Sequence, residues 1–535
     1  MIPSKKYFAD KIQSAARAAV SLLPDNPSLV SEIDYESRNF FKGHDSFINA
    51  DYALKNNCRW RLGFANASLV PDDIFTKKYY LGGFMSMDHT QNYPDGNVVE
   101  EVLDDMKVRA VCLDDGSGRG AAAFAVIDAI GISNGDVRTI RAALADFAAE
   151  NNIVSINIGA THSHSCIDTQ GLWFCSYTER KKRIKNKKHR EKFLSGYADK
   201  SFIDSLCLKT ADAIRSAFHD MKDGSLFYNE TDIGGKMHDK RPRERGLDVG
   251  EEISFLSNLS KFTFVPDDKE AVQTIILNMN VHPCIVGLET FCEDKTKFNY
   301  GECLSNGRQL SGDYVAYIDE AITNAGYNMM FLNGAIMGIY ASGGDIDFKQ
   351  GFAPPRYLRA VGYGREIADI VLSMKLEDAE KITPFLNVRC SEVISKTDNP
   401  VIIAIGKLGI THNIFLKGGD GYKAVTEVGY VEIGEKKAAM VPGEICPDLI
   451  NGKYSMTEDY SISGNAFPLP SFSEAAGFDG GKNILVFGLM NDAAGYIVPD
   501  NDFVLIRYHD MLCFGSRFAS CLVRSFMDII KTTGA

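Results

Sequence analysis

Apolar and polar positions recur along this chain in two rhythms. In "DVRTIRAALADFAAE" (136–150), Val137, Ile140, Leu144, Phe147 and Ala148 fall on one face at helical spacing, which predicts an amphipathic helix. In "NIVSINIGA", Val154, Ile156 and Ile158 alternate, which predicts a strand ending just before Thr161-His162-Ser163-His164. In "TIILNMNVHP", Leu277, Met279 and Val281 share one face and leave Asn278, Asn280 and His282 on the other. "AAMVPGE" is an apolar run ending in a Pro-Gly turn and Glu444. "NILVFGLMNDAAGY" reads as a buried strand, 484–489, running into a loop with Tyr496.

"KVRAVCLDDGSGRGAAAFAVIDAIG" reads as two strands joined by a turn at 115–120. Its Gly-x-Gly-x-Gly would suit a phosphate loop only if it opened a helix. A strand-like run follows instead, so a hairpin is expected. From about residue 60 onward, strands and helices alternate. This predicts an α/β fold: a mixed β-sheet core flanked by helices, with the chemistry at the C-terminal ends of strands. Residues 1–58 read as an N-terminal extension and 59–535 as one domain. In the extension, Phe8, Ile12, Ala15, Ala16 and Val20 recur at helical spacing, as in an amphipathic surface helix.

Composition narrows the possibilities. The chain has 535 residues, 45% hydrophobic and 24% charged, which is ordinary globular usage. A formal net charge of −12 argues against a general nucleic-acid binder. The run "RKKRIKNKKHREK" (180–192) reads as a solvated face or as a contact for an anionic partner such as a lipid head group. No continuous apolar h-region stands at the N-terminus, and no stretch reaches transmembrane length. The twelve cysteines include no Cys-x-x-Cys pair, and several, such as Cys112 and Cys207, sit in apolar runs. Free buried thiols in a reducing, cytoplasmic setting are therefore expected.

His162 and His164 decide nothing as a pair. They suit a metal, and equally two polar residues at a strand end. Taken in order, however, "THSHS", "NVHP", "VPGE", "GLMNDAAGY" and "RYHD" resemble the neutral (non-lysosomal) ceramidases over roughly 60–515. Tyr508 falls twelve residues after Tyr496, as the paired tyrosines do in that family. The resemblance implies a Zn2+ hydrolase that cleaves the amide bond of an N-acyl, ceramide-like or other lipid-like small molecule with zinc-activated water. It makes His162, His282, Glu444 and Tyr496 the metal ligands, a sensible donor set for zinc. His164 and Tyr508 would sit beside the metal, bind the carbonyl oxygen and manage protons. Arg241 in "HDKRPRERGLD" would join them, with Lys240 and Arg243 as rivals. An esterase or lactonase on the same fold, or a zinc-stabilised binding protein, are the alternatives.

The chain also departs from the family. "CIDTQ" replaces the Gly-Pro that follows the His-x-His-Ser, and "ICPDL" follows the Pro-Gly-Glu without the family's arginines. "NGAIMG" puts Gly334 near the position of a family serine, with Ser342 the nearest candidate in its place. The family's C-terminal immunoglobulin-like domain has no counterpart here. His44, His89, His189, His219, His238, His412 and His509 lack matching context and read as structural or exposed.

Overall fold

A computed structural model describes residues 16–26, 29–83, 98–173, 199–241, 255–286, 309–342, 356–505 and 507–534. The larger sheet contains β1 (Trp60–Ser68), β2 (Lys107–Asp114), β3 (Ala121–Ile127), β4 (Ile153–Ala160), β5 (Lys222–Asp232), β6 (Asn258–Pro266), β7 (Thr274–Met279), β8 (Asn328–Asn333) and β9 (Glu380–Lys381). Its order is β8-β7-β6-β5-β1-β2-β3-β4, with β9 also paired to β5. Only the two outermost pairs, β7–β8 and β3–β4, are parallel. The predicted hairpin is present, with β2 and β3 antiparallel across the glycine-rich turn.

A second sheet contains β10 (Leu386–Lys396), β11 (Phe415–Gly418), β12 (Gly421–Ile433), β13 (Lys436–Met440) and β14 (Leu485–Phe487). The two-residue strand Val30–Ser31 pairs with β11, so this part of the N-terminal region is hydrogen-bonded into the second sheet. The inner faces of the two sheets meet through Trp60, Val111, Phe124, Phe262 and Met330 on one side and Leu386, Val388, Val431, Met440 and Phe487 on the other.

Helices cover both outer faces. Helix α1 (Asn134–Ala143) and α2 (Lys200–His219) cover β2, β3 and β4. Helices α3 (Tyr314–Asn324) and α4 (Arg356–Ser373) cover β7 and β8. Helices α5 (Pro400–Leu408) and α6 (Phe518–Thr533) lie against the second sheet. The mixed-sheet α/β class read from the sequence is thus the observed one. The predicted helix over 136–150 is two helices, because the backbone breaks at the fully buried Leu144 before resuming at Ala145–Glu150. Residues 16–21 are helical, while the rest of the predicted N-terminal helix and the basic run 180–192 lie outside the described residues. No described helix is long and apolar enough to cross a membrane.

The large sheet curls until its two edge strands approach each other. Asn333, ending β8, donates to the Ala160 carbonyl, which ends β4, at 3.0 Å. The segment after β14 then crosses the gap. Gly488 N–H donates to Asn333 O, Met490 N–H to Val441 O and Asn491 N–H to Ile158 O. Asn491 Oδ1 accepts from Ile158 N–H at 2.9 Å, and its amide donates to Asn157 Oδ1 at 3.1 Å. Asn278 does the same work one strand away, sharing its amide hydrogens among the carbonyls of Leu332, Asn333 and Val486. The polar face predicted for the strand at 274–279 is therefore buried and stitches strands together. Replacing Asn278 by Ala should cost about 2–4 kcal/mol, since buried carbonyls lose their donor. Denaturant titration of the variant against the parent measures it.

Candidate functional site

His162, His164, His282, Glu444 and Tyr496 each come after a strand. His162 comes two residues after β4, and its φ of 64° lies in the left-handed region that a non-glycine residue occupies only at a cost of order 1–3 kcal/mol. Its loop is held by Thr161 N–H on Ile127 O and His164 N–H on Pro283 O. His282 follows β7 and bridges to Tyr340, whose ring stacks on the imidazole at 5.2 Å. Glu444 follows β13. The pair Glu444–Ile445 runs parallel to Tyr496–Ile497, which brings Glu444 and Tyr496 side by side. Gly443 permits this contact: a Cβ there would fall 2.2 Å from the Gly495 carbonyl oxygen. Gly83 plays a similar part at His164, where a Cβ would approach the histidine Cα to 2.6 Å.

The three imidazoles converge. His164 Nε2 lies 3.1 Å from His162 Nε2 and 3.1 Å from His282 Nε2. Glu444 reaches to 3.4 Å from His162 Nε2 and 3.5 Å from His282 Nε2. All four side chains are buried. On their other edges, His162 Nδ1 contacts the Ile130 carbonyl at 2.6 Å and His282 Nδ1 the Ile336 carbonyl at 3.3 Å. A carbonyl only accepts, so each Nδ1 carries the hydrogen and each Nε2 turns a lone pair inward. His164 can give its one proton to only one of them. Glu444 Oε2, also turned inward, accepts no hydrogen bond among the described residues. Lone pairs and a carboxylate oxygen facing one small space form the donor set a divalent cation requires, and the three histidines satisfy the spacing of a metal site.

The electrostatics agree. Burial first, then His162, hold the His282 imidazole down at about 4. Burial and the two neighbouring histidines hold His164 well below its usual range. Burial would raise Glu444, but His162, His282 and His509 outweigh it and its pKa is lowered. Neutral His164 and His282 with an ionised Glu444 are the protonation states a metal binds.

The remaining candidates surround this cluster. Tyr496 is buried and Tyr508 is 44% exposed, their rings 5.9 Å apart. Desolvation and Glu444 push the Tyr508 phenol up to about 12, so it keeps its hydrogen at neutral pH. Arg241 is held by acids. Its guanidinium is engaged by Asp239, by Cys446 Sγ at 2.9 Å and by Asp448 at 3.3 Å. Its rival Lys240 lies over the Tyr340 ring, and Arg243 falls outside the described residues.

His509, read as structural or exposed, packs its ring edge-on against Tyr496 at 4.6 Å. Gly334 cannot stand in for a serine without a shift of its neighbour, because a Cβ there would meet Asn280 Oδ1 at 1.9 Å. Ser342 makes a contact the sequence did not suggest, 2.6 Å from His238 Nδ1, but it lines neither cavity at the cluster.

Two cavities adjoin. One of about 270 Å³ has His162, His164, Glu444, Tyr496 and Tyr508 in its wall. The rest of that wall is mostly apolar, including Trp173, Ile402, Ile405, Phe415, Leu489 and Phe514, with Gln170, Thr411 and Asn413 as polar exceptions. The other, of about 420 Å³, shares Tyr496 and Tyr508 and is lined by Arg241, Tyr340, Asp448, Asp502, Arg507 and His509.

No protein-family model matches the sequence, and no curated protein does. Solved structures do match. The crystal structure of neutral ceramidase from Pseudomonas aeruginosa superposes with a TM-score of 0.59 at 13% identity, over 89% of this chain and 74% of that one. The fold is similar to that of neutral ceramidase. A second structure, of ceramidase complexed with C2, matches with a TM-score of 0.56 at 13% identity, over 89% and 75% of the two chains. The ceramidase-like fold that the ordered motifs implied is thus present.

The loop that delivers Tyr496 contains a buried acid. Asp492 accepts from the backbone of Asn134 and Ala493 and from Asn413, yet burial pushes its carboxyl up to about 7. Its folded pKa lies above the unfolded value of roughly 4, so the folded state binds the extra proton between the two. This residue's contribution to stability should fall as pH rises from about 4 to 7. Asp492→Asn should flatten that part of the stability–pH curve, measured by urea unfolding across the window.

Proposed function

We propose that this chain is a zinc-dependent amide hydrolase and a divergent relative of the neutral ceramidases, acting on an N-acyl, lipid-like small molecule. The observation that carries the reading is the meeting of His162, His164, His282 and Glu444, with His162, His164 and Glu444 in the wall of an apolar cavity. The ceramidase-like fold supports it. His162, His282, Glu444 and Tyr496 are assigned to hold the ion, and residues 59–535 to the catalytic domain. When bound, zinc supplies Lewis-acid polarisation of the acyl carbonyl and lowers the pKa of water.

The protein's own residues do the rest. His164 faces the same space and is assigned to bind the acyl carbonyl oxygen and manage protons there. The Tyr508 phenol, at the shared rim of the two cavities, donates to the carbonyl oxygen as charge develops there. Arg241, tied to two aspartates, is assigned to shaping the second cavity rather than to the oxyanion. The free thiols of the described cysteines, several of them deeply buried, are in keeping with a reducing, cytoplasmic setting.

The assignment divides the residues by two measurements. His282→Ala and Glu444→Ala should each lose the metal in elemental analysis of purified protein, with affinity falling by orders of magnitude. His164→Ala and Tyr508→Phe should keep one equivalent and lose rate on N-acyl substrates, by roughly 2–4 kcal/mol each. Metal loss in His164→Ala would instead make His164 a ligand. Ser342→Ala should stay active, and mass spectrometry during turnover should find no acyl adduct on Ser342.

A further inference from the structure

Two cavities meet at one pair of tyrosines, the first lined mostly by hydrocarbon and the second carrying several charged side chains in its wall. The first has an apolar wall beyond the histidine cluster, with Phe415 wedged between Phe514 and Gly406 of α5. Its volume of about 270 Å³ is small for a ligand pocket, which typically spans roughly 300–1,000 Å³. An apolar protein cavity of roughly 150 Å³ accepts a six-carbon ring, so by proportion this one holds about ten carbons. The second is built from two ion-pair networks. Arg241 is held by Asp239 and Asp448, and Arg507 by Asp502 and Asp510. Covering those groups with a hydrocarbon chain would strip their remaining solvation without return. A group with its own hydroxyls or charge keeps them satisfied.

From this juxtaposition we infer that the substrate is a medium-chain acyl amide of a small hydrophilic amine. The acyl chain, of about eight to ten carbons, fills the apolar cavity, and the amine occupies the polar chamber. The inference rests on the amide-hydrolase reading of the site. The scissile bond lies between the two cavities, beside Tyr496 and Tyr508. Water adds across it: the C–N bond breaks, the acyl carbon keeps the oxygen as a carboxylate, and the amine leaves protonated. A sphingoid base with a long alkyl tail fits the polar chamber poorly.

Two measurements test the two halves separately. The first is binding of straight-chain fatty acids, butanoate to hexadecanoate, to the full chain by displacement of a fluorescent fatty acid. Affinity should rise about fourfold per methylene and stop rising near ten carbons. Ile405→Phe should move that break to shorter chains and Phe415→Leu to longer ones, with melting curves confirming that both fold. A steady rise to hexadecanoate, or a break that neither variant moves, overturns the chain-length assignment. The second is hydrolysis of decanoyl amides by the zinc-loaded protein. Amides of hydroxylated or charged small amines should be cleaved at least tenfold faster than the amide of a long-chain amine, and the reverse order overturns the polar half. A fatty-acid break without cleavage of any amide keeps the cavity and removes the hydrolase. Cleavage without the break does the opposite.

Discussion

The structure depends on one crossing. The larger sheet has two free edges, β4 and β8, and the segment 488–491 is laid between them. An exposed strand edge is a row of unpaired donors and acceptors. Here the edges are occupied by asparagine amides and a few irregular backbone bonds rather than by another strand. Asn157, Asn278, Asn333 and Asn491 are all buried, and each makes hydrogen bonds that a hydrophobic residue could not replace. A regular strand in that gap would have carried the chain past the site. The irregular one, with Leu489 and Asn491 at positive φ, turns and delivers Tyr496 beside Glu444.

The cluster itself runs against stability. Imidazole lone pairs turned toward each other, an inward carboxylate oxygen without a hydrogen bond among the described residues, and a histidine backbone at φ 64° all raise the energy of the folded chain. The surroundings hold them in place. Backbone carbonyls fix His162 and His282 from behind, and the stacked Tyr340 covers one of them. A cation bound there would meet side chains already held in place.

Much of this was legible in the sequence, and for physical reasons. Alternation is a local property, so strands such as 274–279 and the hairpin at 115–120 could be read from a few residues. The ordered motifs placed His162, His282, Glu444 and Tyr496 in one region because each follows a strand end. The rest depends on distance along the chain. Nothing near Arg241 announces that Asp448 will claim part of its guanidinium. Nothing near His509 shows that its neighbour Tyr508 will face the rim while His509 itself packs on Tyr496. Whether His164 sits on or beside the metal is equally a matter of ångströms. The cavities were invisible for the same reason: their walls come from segments as far apart as Trp173, Ile405 and Phe514.

The wide spacing of the cluster has a consequence for how the protein is made. Its side chains and the neighbouring Tyr496 come from four strand ends spread between His162 and Tyr496, and the last is positioned by the segment that crosses between β4 and β8. Contacts so distant in sequence form late, because the loop-closure entropy must be met before they return any energy. A chain emerging from the ribosome can complete the hairpin of β2 and β3 early, yet it cannot assemble the histidine–glutamate cluster until nearly all of its length is available. Metal uptake would then be a final step that locks a finished sheet, and the emerging chain would pass through synthesis with its histidines still separate.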